Sequence, residues 1–306
     1  MSTAYITHPS FLLHDMGPYH PECPERIGAI GERLEATGLE GRLAHHTAPA
    51  ATREQLARVH DGDYLDLIES ASPETGLHYL DPDTALCPHS LSAARHAAGA
   101  AVKAVDLVMS GEFGSAFCAV RPPGHHAESS RAMGFCVFNN IAVAAAHALD
   151  VHGLERVAIV DFDVHHGNGT EEIFADDPRV VMVGTFQYPL YPYSGVEPLG
   201  ANMHNVPLAP GSGSDEFRAA VAQWLPELEA HRPQLILISA GFDAHADDPL
   251  AGLELSDDDF GWVTEQLIAV ARKHAQGRIV SSLEGGYALG ALGRSTARHV
   301  QALLDA

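Results

Sequence analysis

Two segments hold most of the side chains able to do chemistry. One is Arg121-Pro-Pro-Gly-His125-His126; the other is Asp161-Phe-Asp163-Val-His165-His166-Gly-Asn168-Gly. In extended backbone alternate residues share a side, so Asp163 and His165 can aim a carboxylate oxygen and an imidazole nitrogen at one point. That pair suits Zn²⁺ or a similar divalent ion. A catalytic zinc takes three protein ligands and keeps one corner open. The third candidate is Asp243, in Ser-Ala-Gly-Phe-Asp. The plainer reading of strand-end carboxylates is that they cap nearby helices.

His125 and His126 follow Pro-Pro-Gly, where irregular backbone can turn both rings into one pocket. One can then act as general base towards water while the other stays charged beside developing negative charge. Asp161 and Asn168 are available to hold the far nitrogens. Tyr287 follows Gly285-Gly286, which lets the chain bend sharply. Its phenol could donate to the oxyanion formed when water attacks an amide. Phe135, in Met-Gly134-Phe-Cys-Val-Phe-Asn-Asn, and Tyr191, in Leu-Tyr-Pro-Tyr-Ser-Gly, are expected on loops at the same sheet edge. Two such rings could wall a narrow apolar slot, although core packing is the usual fate of aromatics.

These residues need elements to position them. Short apolar runs predict strands at Ala4–Ile6, Ser115–Val120, Arg156–Asp161, Arg179–Gly184, Gln234–Ala240 and Arg278–Leu283. Helical patterns run from Pro24 or Glu25 to Thr37, and over Thr52–Val59, Asp63–Ser70, Ser90–Ser110, Asn140–Val151, Gly169–Phe174, Ser214–His231 and Leu289–Leu304. Another helix follows the cap Ser256, with Asp257, Asp258 and Asp259 in its first turn. Residues 71–89 and 185–212 read as loops, the second long enough to suggest function. Alternating strands and helices, with strands apolar throughout, predict a single α/β domain over residues 1–306. Its mostly parallel sheet is covered on both faces. Ligands bind such sheets outside the carboxyl ends of the strands, and every loaded segment follows a predicted strand.

Composition narrows the classes. The formal charge of −22 argues against nucleic acid. It favours cationic ligands, or serves solubility alone. No apolar run reaches the roughly eighteen residues of a membrane span, and the first residues lack the pattern of a secretion signal. Four scattered cysteines fit a reducing cytoplasm. Cys136 lies near the site, where a small buried hydrophobe is the simpler reading.

Arg-Pro-Pro-Gly-His-His, Gly-Phe-Cys-Val-Phe-Asn-Asn, Asp-Phe-Asp-Val-His-His-Gly-Asn-Gly, Ala-Gly-Phe-Asp-Ala and Glu-Gly-Gly-Tyr occur in that order. Together they resemble the zinc-dependent histone deacetylase superfamily, nearest to class II enzymes and bacterial relatives that include acetylpolyamine amidohydrolases. The likeness runs from His20-Pro-Glu-Cys-Pro-Glu-Arg26 to Tyr287. It implies an arginase-like fold with a central sheet of about eight strands, and Zn²⁺ on Asp163, His165 and Asp243, with Fe²⁺ as the alternative in the cell. It implies His126 as base and then acid with Asn168 behind it, and His125 as electrostatic partner oriented by Asp161. Tyr287 would polarise the acetyl carbonyl. The Gly134 carbonyl would receive the substrate N–H, Phe135 and Tyr191 would flank the acyl-amine chain, Asp83 would sit at the rim, and Arg26 would line an acetate exit. The resemblance also implies K⁺ on Asp161 and the main-chain oxygens of Asp163 and His165. Gly184-Thr185-Phe186 departs from the usual Ser-x-His there.

Polyamine-selective relatives often carry Glu seven residues after the third zinc ligand; here that position is Leu250. This favours acetyl-lysine peptides or similar small cationic acylated amines, with acetylpolyamine deacetylation as the alternative. A two-manganese ureohydrolase, suggested by Asp243-Ala-His245-Ala-Asp247, leaves the paired histidines idle. A non-catalytic acyl-amine binder would need a missing catalytic group. Homo-oligomerisation is left open.

Overall fold

The computed structural model describes residues 2–306. In chain order the elements are β1 (Thr3–Thr7), α1 (Glu25–Ala36), β2 (Leu43–Thr47), α2 (Arg53–Leu56), α3 (Gly62–Ala71), β3 (His78–Tyr79), β4 (Ala85–Leu86), α4 (Ser90–Met109), β5 (Ser115–Cys118) and α5 (Asn140–Asp150). There follow β6 (Val157–Asp161), α6 (Asn168–Phe174), β7 (Val180–Gln187), β8 (Met203–Leu208), α7 (Ser214–His231), β9 (Leu235–Ala240), α8 (Asp257–His274), β10 (Ile279–Leu283) and α9 (Leu289–Leu304).

Among the described residues the main sheet has eight strands, all parallel, in the order β2-β1-β5-β10-β9-β6-β7-β8. Parallel pairing demands crossover helices, which bury both faces and explain why the inner strands are apolar throughout. On one side α4 and α5 pack together against β1, β5, β10, β6 and β9. On the other, α1, α9, α8 and α7 form a continuous layer. Buried alanines of α4 (Ala93, Ala94, Ala97, Ala98, Ala101, Ala104) let that helix approach closely. At Gly99 a Cβ would fall 2.0 Å from the Pro49 carbonyl oxygen, so only glycine fits there.

The chain builds outward from β6 to β8, then returns to lay β9 and β10 between β6 and β5. The four central strands therefore end side by side although three of their connections are long. Their ends are level: Ser282 pairs with Cys118, Leu283 with Ala240, and Asp161 with Ser239. Segments 121–126, 161–168, 241–243 and 284–287 leave these ends as one cluster of loops.

The structure corrects the sequence reading at the margins. Both outermost strands, β2 and β8, lie outside the sequence expectation; each is mostly half-buried or exposed and contains histidine, and β8 also proline. Pro207 is tolerated because β8 is an edge strand. Residues 185–212 are thus not one loop. β7 continues to Gln187 and pairs with β8. The 71–89 segment holds the small antiparallel β3–β4 ribbon. β5 stops at Cys118, short of Val120, and α2 is a single turn capped by Thr52 and Gln55.

Candidate active site

At the end of β6 the chain turns on its own side chains. Asp161 Oδ1 accepts the Asp163 N–H at 3.0 Å, and Asp163 Oδ1 accepts the His165 N–H at 2.8 Å. These short-range bonds hold alternate side chains on the inner side. Asp243 Oδ1 accepts the Val164 N–H at 2.9 Å, and Asp163 Oδ2 accepts the Gly285 N–H at 2.8 Å. Strands β6, β9 and β10 are thereby tied together at their ends.

The result is a buried cluster in which donor atoms of Asp163, His165 and Asp243 all lie within 4.8 Å of one another. His165 Nδ1 is 3.1 Å from Asp163 Oδ1 and 3.2 Å from Asp243 Oδ2. Asp243 Oδ2 is buried and accepts no well-aligned hydrogen bond from the described residues, the His165 ring approaching it outside bonding geometry. A carboxylate oxygen left so costs free energy unless a cation faces it. Burial and the Asp163 charge push Asp243 up to about 6. Burial disfavours a charged His165, but Asp163 and Asp243 outweigh it and raise the ring to about 10. A Cβ on Gly241 or Gly285 would lie 2.0 Å from Asp163 Oδ2 or Asp243 Oδ2, so both positions must be glycine. Two carboxylates and an imidazole around an orphaned oxygen fit a divalent ion of the zinc type.

Beside this cluster stand two histidines with rings 4.1 Å apart and different partners. His125 Nδ1 donates to Asp161 Oδ2 at 2.8 Å. His126 Nδ1 donates to the amide oxygen of Asn168, also at 2.8 Å. Burial works against a charged His125, yet Asp161 and Asp163 hold its pKa well above the ordinary value. Burial, the neighbouring His125 and His165 keep His126 well below it. Two chemically identical groups are thus driven apart, one to a cation and one to a neutral base with Nε2 free. Asn168 Nδ2 donates to Glu128 Oε1 at 2.8 Å, which fixes the amide with its oxygen towards His126.

Tyr287 stands beside the cluster, in the loop after β10. Burial pushes its phenol well up, so it remains a donor. The Arg26 guanidinium lies 4.9 Å above its ring and donates to the Gly286 and Glu284 carbonyls at 2.7 and 2.6 Å. Arg26 and Arg121 share the fully buried Glu22 carboxylate. Asp248 Oδ2 accepts the Tyr287 and Ala288 N–H groups at 2.6 and 3.1 Å, and Oδ1 accepts the Leu250 N–H at 3.1 Å.

Two aromatic rings stand beside these groups. Phe135 meets Tyr287 edge-on at 5.8 Å, and Tyr191 meets His126 at 5.3 Å. Gly134 and Phe135 both have positive φ. A Cβ on Gly134 would clash with the His126 ring at 2.4 Å. Asp83, pushed up to about 6 by burial and Asp81, accepts the Thr84 hydroxyl, which in turn accepts the Phe135 N–H. Half-buried Leu250 shares the Asp248 anchor. Cys136 is fully buried and its thiol held well up by burial, so it is no nucleophile. His245 and Asp247 turn away from the cluster, to Asp257 at 3.1 Å and Arg294 at 3.0 Å. A second metal would lack them.

Four orienting groups escaped the sequence reading: Glu22, Glu128, Asp248 and Glu284. Glu284 Oε2 accepts the Gly124 and His125 N–H groups at 2.6 and 3.1 Å and so shapes the turn that carries both histidines. Burial pushes Glu284 up to about 7. Its place in Glu-Gly-Gly-Tyr was the one available signal.

Comparison with known proteins identifies the family. Residues 20–303 match the family model of the histone deacetylase domain. Over 276 residues the chain is 43% identical to a histone deacetylase-like amidohydrolase of Pseudomonas aeruginosa, spanning 88% of this chain and 72% of that protein. It is 37% identical over 332 residues to the polyamine deacetylase HDAC10 of Mus musculus, spanning 99% of this chain and 48% of that one. The crystal structure of the HDA15 HD domain superposes with a TM-score of 0.93 at 34% identity, covering 99% of this chain and 90% of that chain. With a family match over nearly its whole length and the same three-layer fold, the chain belongs to the histone deacetylase domain family.

Proposed function

We propose that the protein is a metal-dependent amidohydrolase that removes acetyl or related acyl groups from lysine side chains or similar amines. Family membership supports hydrolysis of amides in general. The observation that carries the finer reading is the split between His125, paired with Asp161, and His126, paired with Asn168, beside a three-ligand cluster.

Asp163, His165 and Asp243 would hold the ion, for which we favour Zn²⁺ with Fe²⁺ as the alternative. When bound, it supplies a Lewis acid that polarises the acyl carbonyl and acidifies water. His126 Nε2 takes a proton from the attacking water, because its Nδ1–H is engaged by Asn168 and its pKa is low. Tyr287 donates its phenolic proton in a hydrogen bond to the developing oxyanion. His126 then returns the proton to the departing amine. His125 stays charged throughout and offsets the negative charge that builds in the pocket. Phe135 and Tyr191 flank the acyl-amine chain, the Gly134 carbonyl receives its N–H, and Asp83 stands at the mouth. Arg26 lines the way out for acetate. A K⁺ ion on Asp161 and the main-chain oxygens of Asp163 and His165 completes the reading, as does action by one domain in the cytoplasm.

Leu250 at the rim offers no carboxylate for a distal ammonium, which favours acetyl-lysine over acetylpolyamine. Acetate release from an acetyl-lysine peptide and from acetylputrescine, in metal-replete enzyme, tests both statements. Faster turnover of the peptide is expected. Turnover of neither would overturn the proposal, and preference for acetylputrescine would overturn the choice of substrate.

A further inference from the structure

A second set of metal-type donors stands away from the pocket. Asp106 is near the end of α4, His147 is in the last turn of α5, and His152 is in the turn that follows. Both helices lead into the amino ends of parallel strands, β5 and β6, so the trio lies at the opposite end of the sheet from the catalytic loops. Nε2 of His147 and Nε2 of His152 each lie 2.8 Å from one atom, Asp106 Oδ1. The three donor atoms fall within 4.8 Å of one another, and the rings meet edge-on at 5.4 Å.

We infer that Asp106, His147 and His152 form a second cation site, for an imidazole-seeking divalent metal such as Zn²⁺, Ni²⁺ or Cu²⁺. Two imidazoles with one carboxylate suit those ions and not Mg²⁺ or Ca²⁺, which take oxygen. Both imidazoles converge on the Asp106 carboxylate, from two packed helices and a turn. His147 is nearly buried and held by the packing. His152 and Asp106 are open enough, at 24% and 53% side-chain exposure, for water to complete the shell. The surroundings are negative on balance. Arg58 approaches His147 Nδ1 at 3.4 Å, but it faces the carboxylates of Glu54 and Asp150 at 3.5 and 3.8 Å. Arg58 donating into Nδ1 keeps the ring proton on Nε2. Metal uptake at Nε2 therefore moves the proton of each ring to its own Nδ1, and on His147 this releases Arg58 to Asp150. The bound ion would staple the end of α5 to α4.

The test counts metal in protein equilibrated with micromolar Zn²⁺ and freed of loose ion by gel filtration. Wild type should hold two equivalents. Asp106→Ala and His152→Ala should each hold one, with unchanged deacetylase turnover showing that they fold. Asp243→Ala should also hold one, and Cu²⁺ placed there should give a spectrum of nitrogen ligation that Asp106→Ala removes from the Asp243→Ala background. No metal in Asp243→Ala, or no loss on Asp106→Ala, would overturn the inference. The Asp243→Ala arm separates that failure from failure of the catalytic cluster, because it reads the two sites independently of activity.

Discussion

Asp248 lies outside the reacting centre, yet the position of Tyr287 depends on it. Its two oxygens accept three N–H groups, from Tyr287, Ala288 and Leu250. Asp248→Ala removes all three acceptors at once. Hydrogen bonds to a charged group are worth about 1.5–3 kcal/mol each. Leu250, Tyr287 and Ala288 are half-buried, so water can replace part of that, and a net loss of roughly 3 kcal/mol in stability is expected. The larger effect should be kinetic. Removing one oxyanion donor outright costs about 10²–10³ in kcat, and a misplacement of about 1 Å costs on the order of 10². Asp248→Ala should therefore lower kcat about 10- to 100-fold while KM moves little. The deciding experiment is a double-mutant cycle with Tyr287→Phe. If Asp248 acts by positioning that phenol, the double variant should be no slower than Tyr287→Phe alone. Multiplicative losses, or near-normal kcat in a folded Asp248→Ala enzyme, would show that the phenol does not rely on this anchor.

Four other outcomes are expected. His126→Ala should cost at least about 10² in turnover, the usual worth of a positioned base, as measured by acetate release in metal-replete enzyme. Chelation should abolish activity and Zn²⁺ should restore it, except in Asp243→Ala, whose donor set is broken. Leu250→Glu adds a rim carboxylate worth up to about 1 kcal/mol as an exposed ion pair, so kcat/KM on acetylputrescine relative to acetyl-lysine peptide should rise up to about fivefold. Glu22→Gln leaves buried Arg121 and Arg26 without their counter-ion, which should cost about 3–5 kcal/mol by denaturant melting at neutral pH. Burial opposes ionisation of Glu22, but Arg121, His14 and Arg26 hold its carboxyl well below the usual range. A depressed carboxyl contributes stability above its unfolded value, about 4.3, and loses it as pH falls through the lower folded value. The gap between wild type and Glu22→Gln should therefore persist below pH 4 and close only in stronger acid.

The inner strands were legible because burial on both faces makes a strand apolar from end to end, as in Val-Ala-Ile-Val before Asp161 or Leu-Ile-Leu-Ile before Ser239. β2 and β8 were not, for the same reason inverted. Each pairs on one side only, and Leu-Ala-His-His-Thr or Met-His-Asn-Val-Pro-Leu carries neither an apolar run nor a clean alternation. Edge strands are recruited by the hydrogen-bonding row of the neighbouring strand, and that row belongs to residues distant in sequence. The extension of β7 to Gln187 depends on β8 in the same way.

The site divides along a related line. Groups that would touch substrate or metal must be particular residue types at fixed offsets from a strand end, and that requirement shows in one dimension. Asp163 and His165, two residues apart, face one point because the Asp161 and Asp163 carboxylates each accept the N–H two residues on and bend the backbone so that both side chains turn inward. The groups that orient them are free of any such spacing. Glu284 reaches the turn at His125 across 159 positions, and Arg121 reaches Glu22 across 99. Each of these carboxylates meets backbone N–H groups or guanidinium donors, which any chain supplies everywhere, so beyond their place in Glu-Gly-Gly-Tyr and His-Pro-Glu nothing local marks their role. What distinguishes them is burial with charge, and that property exists only once the chain is folded. Arg26, Glu22 and Arg121 place three formal charges in the interior, a cost that hydrophobic residues would avoid. Their joint effect is to fix the Gly286 and Glu284 carbonyls, and with them the loop that carries Tyr287, against the segment that carries His125 and His126. A charge network kept at that expense between two loops of one pocket is accounted for by the geometry it holds.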